Sequence, residues 1–308
     1  MALRGLDAGG RFDSALCASL NDRGTGTGRV ARMSTPSPWT APETATFLRV
    51  PTASDDKYSR GVVGMRTGSE EFPGAAVLGV EAAWRTGTGM VRYLGPRRAT
   101  DLVLQRRPET VTADGRVQAW VVGSGTSPTA RTPAETAAVR TILSGDVPVV
   151  VDAGALDLVV AASAVTGDPA PLVLTPHDRE HAALRDRLGL ASAIGREQAA
   201  LETAAVTGAV LLLKGSTTLI ATPEGTVRSV TSGVAWLATA GTGDVLAGIL
   251  GALVAGAPDR VADAAACAAW LHGSAGAAAS ARHGGGPLVA LDVARAVSSI
   301  VGELVSER

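Results

Sequence analysis

From residue 60 onward the chain alternates between two kinds of segment. Short runs of Val, Leu and Ile, too brief for helices, give way to Ala-rich stretches whose apolar residues recur at helical spacing. The expected strands are Val62–Arg66, Gly89–Leu94, Gln118–Val122, Val147–Val151, Leu172–Thr175 and Val210–Lys214. The expected helices between them are Gly74–Thr86, Pro133–Leu143, Glu180–Leu188 and Arg196–Thr207; in the first, Val77, Val80 and Trp84 share one face. Several strands are nearly unbroken Val/Leu runs, as suits strands covered on both faces. The pattern therefore predicts an α/β fold with a central, mostly parallel sheet flanked by helices on both faces. Pro223-Glu-Gly225, between Thr217–Ala221 and Thr226–Val230, signals a hairpin at one sheet edge. Three helices close the chain, roughly Gly243–Val254, Asp259–Arg282 and Asp292–Val305, and no internal repeat interrupts the series.

Composition narrows the class. Aromatic residues make up 3% of the 308 while glycine numbers 37, so Ala, Val and Leu must build the core in close-packed elements joined by glycine turns. A net charge of -1 without a Lys/Arg block gives no field to gather a phosphate backbone, which argues against nucleic acid as a partner. The apolar run Val245–Ala257 falls short of the roughly 20 residues that span a bilayer, so no membrane partner is expected. Two cysteines, Cys17 and Cys267, cannot form a disulfide framework or a four-ligand zinc site, which suits a reducing cytoplasm. His177 and His181 are spaced as ligands on one helix face, but no third ligand stands out and no protein metal site is expected. Residues 1–44, with Gly24-Thr-Gly-Thr-Gly28, lack apolar periodicity and read as a disordered leader in which Met33 is a candidate true start. Residues 45–308 read as a single domain.

The sharpest local motif is Thr239-Ala-Gly-Thr-Gly-Asp-Val-Leu-Ala-Gly-Ile-Leu250. Gly241 and Gly243 let backbone approach an anion, and the helix that follows aims its free N–H groups and positive dipole end at the same point. Asp244, in the first turn, is either an acid complementing that dipole or a general base that takes a proton from a hydroxyl attacking a phosphoryl group. The chain carries neither a Walker A loop nor a complete Gly-x-Gly-x-x-Gly fingerprint; Gly123-Ser-Gly125 ends a strand but lacks the third glycine. Lys214 ends another strand and precedes Gly215-Ser-Thr-Thr218, where open α/β sheets bind ligands. Only Lys57 and Lys214 are lysines, so Lys214 stands apart from the arginine-dominated surface. Asp152, a candidate helix N-cap, and His177 also follow strands. In a parallel sheet Gly123, Asp152, His177, Lys214 and Asp244 gather at one rim.

The order of Gly74-Ala75-Ala76, Gly123-Ser-Gly125, Asp152-Ala-Gly-Ala-Leu156, Leu174-Thr-Pro-His177, Lys214-Gly215 and Gly241-Thr-Gly-Asp244 resembles the ADP/ATP-dependent NAD(P)H-hydrate dehydratases of the ribokinase-like superfamily. The resemblance covers about residues 55–305 and leaves no room for a fused epimerase domain, which implies a stand-alone dehydratase. It implies repair of hydrated NADH or NADPH (NADHX, NADPHX): a nucleotide, ADP by preference and otherwise ATP, phosphorylates the ring hydroxyl, and phosphate then leaves. By motif, Asp244 would deprotonate that hydroxyl and Gly241, Thr242 and Gly243 would form the anion hole. Lys214, Gly215, Ser216, Thr217 and Thr218 would meet the nucleotide, while Gly74, Ala75, Gly123, Gly125 and His177 would line the hydrate pocket. Mg²⁺ would arrive with the phosphates, and relatives suggest a cytoplasmic homo-oligomer, commonly a tetramer. Three departures stand out: Ser124 replaces a usual Pro, Asp178-Arg179 replaces Pro-Gly, and Ser232-Gly-Val-Ala-Trp-Leu237 replaces an asparagine-bearing stretch. A small-alcohol kinase of the same superfamily, such as a vitamin-precursor kinase, would share Asp244 and the anion hole. A nucleotide-binding module without catalysis is the third reading.

Overall fold

A computed structural model describes residues 36–165, 170–191, 195–231 and 233–306. Of the expected leader, residues 1–44, the part through residue 35, with Cys17 and Met33, lies outside the described residues, as does Ser232. Chain order is β1 (Ser37–Pro38), α1 (Ala41–Phe47), β2 (Val62–Arg66), α2 (Gly74–Thr86), β3 (Met90–Tyr93), α3 (Arg97–Arg106), β4 (Ala119–Val122), α4 (Pro133–Leu143) and β5 (Val149–Val151). After two short 3₁₀ turns follow β6 (Leu172–Leu174), α5 (Asp178–Arg187), α6 (Arg196–Thr207), β7 (Val210–Leu213), β8 (Thr218–Ala221) and β9 (Val227–Val230). Three helices end the chain: α7 (Thr242–Gly256), α8 (Val261–Ala281) and α9 (Ala290–Ser306).

The strands form one sheet in the order β1-β9-β8-β7-β6-β5-β4-β2-β3. All neighbours run parallel except β8, which is antiparallel to both β7 and β9. The expected hairpin is therefore present, but it is not the edge: β1 pairs outside β9, and Trp39 N–H donates to the Ser229 carbonyl at 2.9 Å. This moves the expected domain boundary from residue 45 to Pro36, where the packed unit begins. The reason is tertiary. Trp39 and Phe47 are buried, and Arg228 lies over the Trp39 ring at 5.4 Å while pairing with Glu43 at 3.0 Å. A short polar segment thus gains order from apolar neighbours far away in sequence.

Alternate strand residues feed two cores, as period-two geometry requires. Val63, Met65, Val121, Val150, Val173, Leu212 and Ile220 face the core built with α2, α7, α8 and α9. Val122, Val149, Val151, Leu174, Leu211, Leu213 and Leu219 face the opposite core, with residues of α4, α5 and α6. Both sheet faces are covered, which is why the strands lack polar alternation. The chain leaves β2 for β3 on one side and returns to β4 on the other, so a topological switch point opens between the carboxyl ends of β2 and β4. There α2 and α7 pack so closely that a Cβ on Gly248 would collide with the Gly79 carbonyl. This contact draws the first turns of α2 and α7 together at the rim.

Candidate active site

Five of the candidate positions sit on loops that leave the sheet at its carboxyl rim. Gly123 and Gly125 follow β4, Asp152 follows β5, His177 follows β6 and caps α5, and Lys214 follows β7. Gly241 is the N-cap of α7 and adopts φ 87°, a left-handed conformation that costs other residues strain. A Cβ there would also lie 2.6 Å from Leu78 Cδ1 and 3.1 Å from Ala290 Cβ. No side chain caps α7, so its opening N–H groups, including those of Gly243 and Asp244, have no intrahelical acceptor and lie at the positive end of the helix dipole. Thr242 contributes backbone only: its buried hydroxyl is spent on the carbonyls of Leu237 at 2.8 Å and Thr239 at 2.9 Å, which moors the preceding 3₁₀ turn.

The two rim carboxylates have opposite environments. Asp152 is buried and saturated: Ser124 Oγ donates to Oδ2 at 2.8 Å, Thr175 Oγ1 to Oδ1 at 2.8 Å and Lys214 Nζ to Oδ1 at 3.0 Å. It stands at the N-cap of the 3₁₀ turn after β5, yet its side chain makes no capping bond, so its role is to hold the lysine rather than the turn. The residue after it, Ala153, has φ 43°, a strained conformation for an alanine that tight packing around Asp152 must maintain. The Asp244 carboxylate, in contrast, forms no hydrogen bond or ion pair among the described residues. Burial, and next the charge of Asp152, push its pKa up to about 7, with Lys214 pulling the other way. A carboxylate that is unpaired and titrates near neutrality is suited to accept a proton.

Lys214 is 19% exposed and lies 3.7 Å from Glu180 Oε2 as well as against Asp152. Burial works to lower its pKa, but Asp152 and Glu180 outweigh it and keep the ammonium charged. Its Nζ is 3.8 Å from the position a Cβ on Gly243 would take, which brings the cation to the start of α7. His177 is half exposed; its Nδ1 accepts from Glu180 N–H at 3.2 Å while Glu180 Oε2 accepts from His177 N–H at 2.8 Å. Gly74 opens α2 with no atom within 4 Å of a Cβ position, whereas Ala75 is buried against Gly125. Beyond Lys214, Gly215, Ser216 and Thr217 form the turn into Thr218, and Thr217 Oγ1 meets Thr231 Oγ1 at 3.0 Å.

Sequence reasoning missed two residues here. Arg196, the first residue of α6, donates to the Leu213, Lys214 and Thr217 carbonyls. A helix that leads into a parallel strand starts at that strand's carboxyl rim, so topology could have singled it out. His272, in α8, hydrogen-bonds the Thr242 backbone; burial brings its pKa down to about 4, and its Nε2 has no partner. Among the described residues no group of three or more His, Cys, Asp or Glu could hold a metal ion.

The sheet order, its switch point and the helices on both faces define a ribokinase-like α/β protein. A family model described as NAD(P)H-hydrate dehydratase matches residues 63–298, and the chain belongs to that family. Among curated proteins it is 44% identical to the Bifunctional NAD(P)H-hydrate repair enzyme Nnr of Mycobacterium leprae, over 84% of this chain and 54% of the relative. It is 39% identical to the ADP-dependent (S)-NAD(P)H-hydrate dehydratase of Neisseria meningitidis, over 71% of this chain and 77% of that protein. The chain thus spans about half the length of the bifunctional relatives it matches. Among solved structures, the ADP/ATP-dependent NAD(P)H-hydrate dehydratase of Bacillus subtilis, co-crystallized with ATP/Mg²⁺, superposes with a TM-score of 0.75 at 26% identity, covering 87% of this chain and 99% of that one.

Proposed function

We propose that this chain catalyses ADP-dependent dehydration of (S)-hydrated NADH and NADPH. The observation that carries the reading is the contrast between Asp152, saturated by three donors, and Asp244, unpaired beside the anion hole. In the proposed reaction Asp244 removes the proton of the ring hydroxyl, and the oxygen attacks the terminal phosphoryl group of ADP. The N–H groups at the start of α7 and the Lys214 ammonium hold the phosphoryl oxygens as AMP leaves. Mg²⁺ would neutralise phosphate charge from the nucleotide side. The ring nitrogen's electron pair then breaks the carbon–oxygen bond of the ester, phosphate leaves, and loss of a proton from the adjacent carbon restores the dihydropyridine. Phosphorylation is needed because hydroxide leaves poorly and phosphate leaves well. The net products are NAD(P)H, AMP and phosphate.

In this reading Gly74, Ala75, Gly123, Gly125 and His177 line the hydrate pocket, and the Lys214–Thr218 turn meets the nucleotide. The same proposal places a homo-tetramer in the cytoplasm, which light scattering of the purified protein and cell fractionation would test. Among the described residues no helix is long and apolar enough to cross a membrane. Chromatographic analysis of products separates the dehydratase from the kinase reading. Equal amounts of AMP, phosphate and reduced dinucleotide support dehydration; a persistent phosphorylated product would replace it with the kinase.

A further inference from the structure

Arg196 makes an unusual set of bonds for a residue on the first turn of a helix. Nη1 donates to the Thr217 carbonyl at 2.7 Å, Nη2 to the carbonyls of Lys214 at 2.8 Å and Leu213 at 3.1 Å, and Nε to Asp178 Oδ1 at 2.9 Å. One guanidinium therefore spans the whole turn between β7 and β8. The fit is tight: a Cβ on Gly215 would lie 2.5 Å from Nη2. With three carbonyls drawn to one side, the N–H groups of Gly215, Ser216 and Thr217 enter none of the turn, loop and cap hydrogen bonds among the described residues. Consecutive free N–H groups beside a cation make a concave anion site, and here the cation is Lys214. We propose that Arg196 is a positioning residue for the nucleotide. It shapes the 213–217 turn from behind so that its N–H groups and Lys214 present themselves to the phosphates.

The inference rests on the dehydratase reading for the identity of the ligand. The four bonds differ in exposure. Asp178 is 68% exposed, so its pairing with Arg196 is weakened by water and salt. The three carbonyl bonds are partly buried and charge-assisted, and they depend on a planar fork that a lysine ammonium cannot reproduce. Replacing Arg196 by Lys should then harm nearly as much as replacing it by Ala, whereas Asp178→Ala should do little.

The test uses the full-length protein with Mg²⁺, hydrated NADH and ADP, each substrate varied at saturating levels of the other, and calorimetric titration of Mg·ADP alone. Arg196→Lys and Arg196→Ala are expected to raise the KM and Kd for ADP about 10-fold, with kcat within about threefold and the KM for the hydrate unchanged. Asp178→Ala is expected to stay within about twofold of wild type in every constant. An unchanged ADP affinity in Arg196→Lys would overturn the proposal, and so would equal losses in kcat and in both KM values, the mark of a merely structural residue. Should the wild type bind Mg·ADP without turning over the hydrate, the dehydratase reading fails while the titration still decides the part played by Arg196.

Discussion

The cost of keeping Asp244 ready as a base should be measurable as lost stability. An unfolded aspartate titrates near 3.9, whereas in the fold burial and Asp152 hold Asp244 at about 7. Between those values the unfolded chain has released its proton while folded Asp244 keeps it, so this group makes stability fall as pH rises, with the full loss present above pH 7. The shift is about three units, or roughly 4 kcal/mol in total, of which roughly 2.5 kcal/mol falls between pH 5 and pH 8. Asp244→Asn keeps the shape and removes the charge. Urea denaturation of the ligand-free protein should therefore show the Asn variant gaining on wild type by about 2.5 kcal/mol between pH 5 and pH 8. His181 and His272, whose pKa values burial lowers to about 4, favour unfolding as pH falls below about 6.5. They are common to both proteins, so they cancel in the difference. The same variant should lose about 10²–10⁴-fold in turnover, the range of a general base. A stability difference that is identical at pH 5 and pH 8 would refute the claim that Asp244 is held near neutrality, and the base role with it.

Other outcomes follow from the same geometry. In wild type, kcat/KM should rise as pH increases through about 7, because Asp244 acts in its ionised form; a flat profile from pH 5.5 to 8.5 would oppose this. Gly241→Ala should destabilise by about 1–3 kcal/mol and weaken ADP binding, since the left-handed backbone and the contacts with Leu78 and Ala290 leave no room for a methyl group; thermal denaturation and titration calorimetry read the two effects. Asp152→Ala strands the Lys214 ammonium beside Glu180 alone and should cost about 3–5 kcal/mol by urea denaturation. Glu81→Ala should cost a similar amount without touching the site, because fully buried Glu81 holds Arg85, Arg106 and Arg107 together between α2 and the end of α3.

The strands buried on both faces were legible as unbroken Val/Leu runs, and Gly74–Thr86, Pro133–Leu143 and Arg196–Thr207 match their helices residue for residue. What escaped reading was held by distant partners. In α3, Arg97-Arg-Ala-Thr-Asp-Leu-Val-Leu-Gln-Arg106 buries only Ala99 and Val103, too little apolar signal to mark a helix. The segment from Ser37 to Phe47 depends on Trp39, Phe47 and a β9 strand some 190 residues later. At the rim, glycines and acids at strand ends announced a ligand site, but not the division of labour between Asp152 and Asp244, which arises from Ser124, Thr175 and Lys214 converging on one carboxylate. Two departures from the family pattern acquire local roles in this way: Ser124 supplies a donor to Asp152, and Asp178 accepts from Arg196.

In the proposed reaction Asp244, at the start of α7, drives nucleotide-dependent dehydration of a hydrated reduced dinucleotide. The most direct measurement mixes purified protein with hydrated NADH, Mg²⁺ and either ADP or ATP and follows recovery of the reduced-nicotinamide absorbance. Recovery with ADP is expected in the wild type, with loss of that recovery by orders of magnitude in Asp244→Asn and AMP formed in step with NADH. No recovery with either nucleotide, or full recovery in the Asn variant, would contradict it.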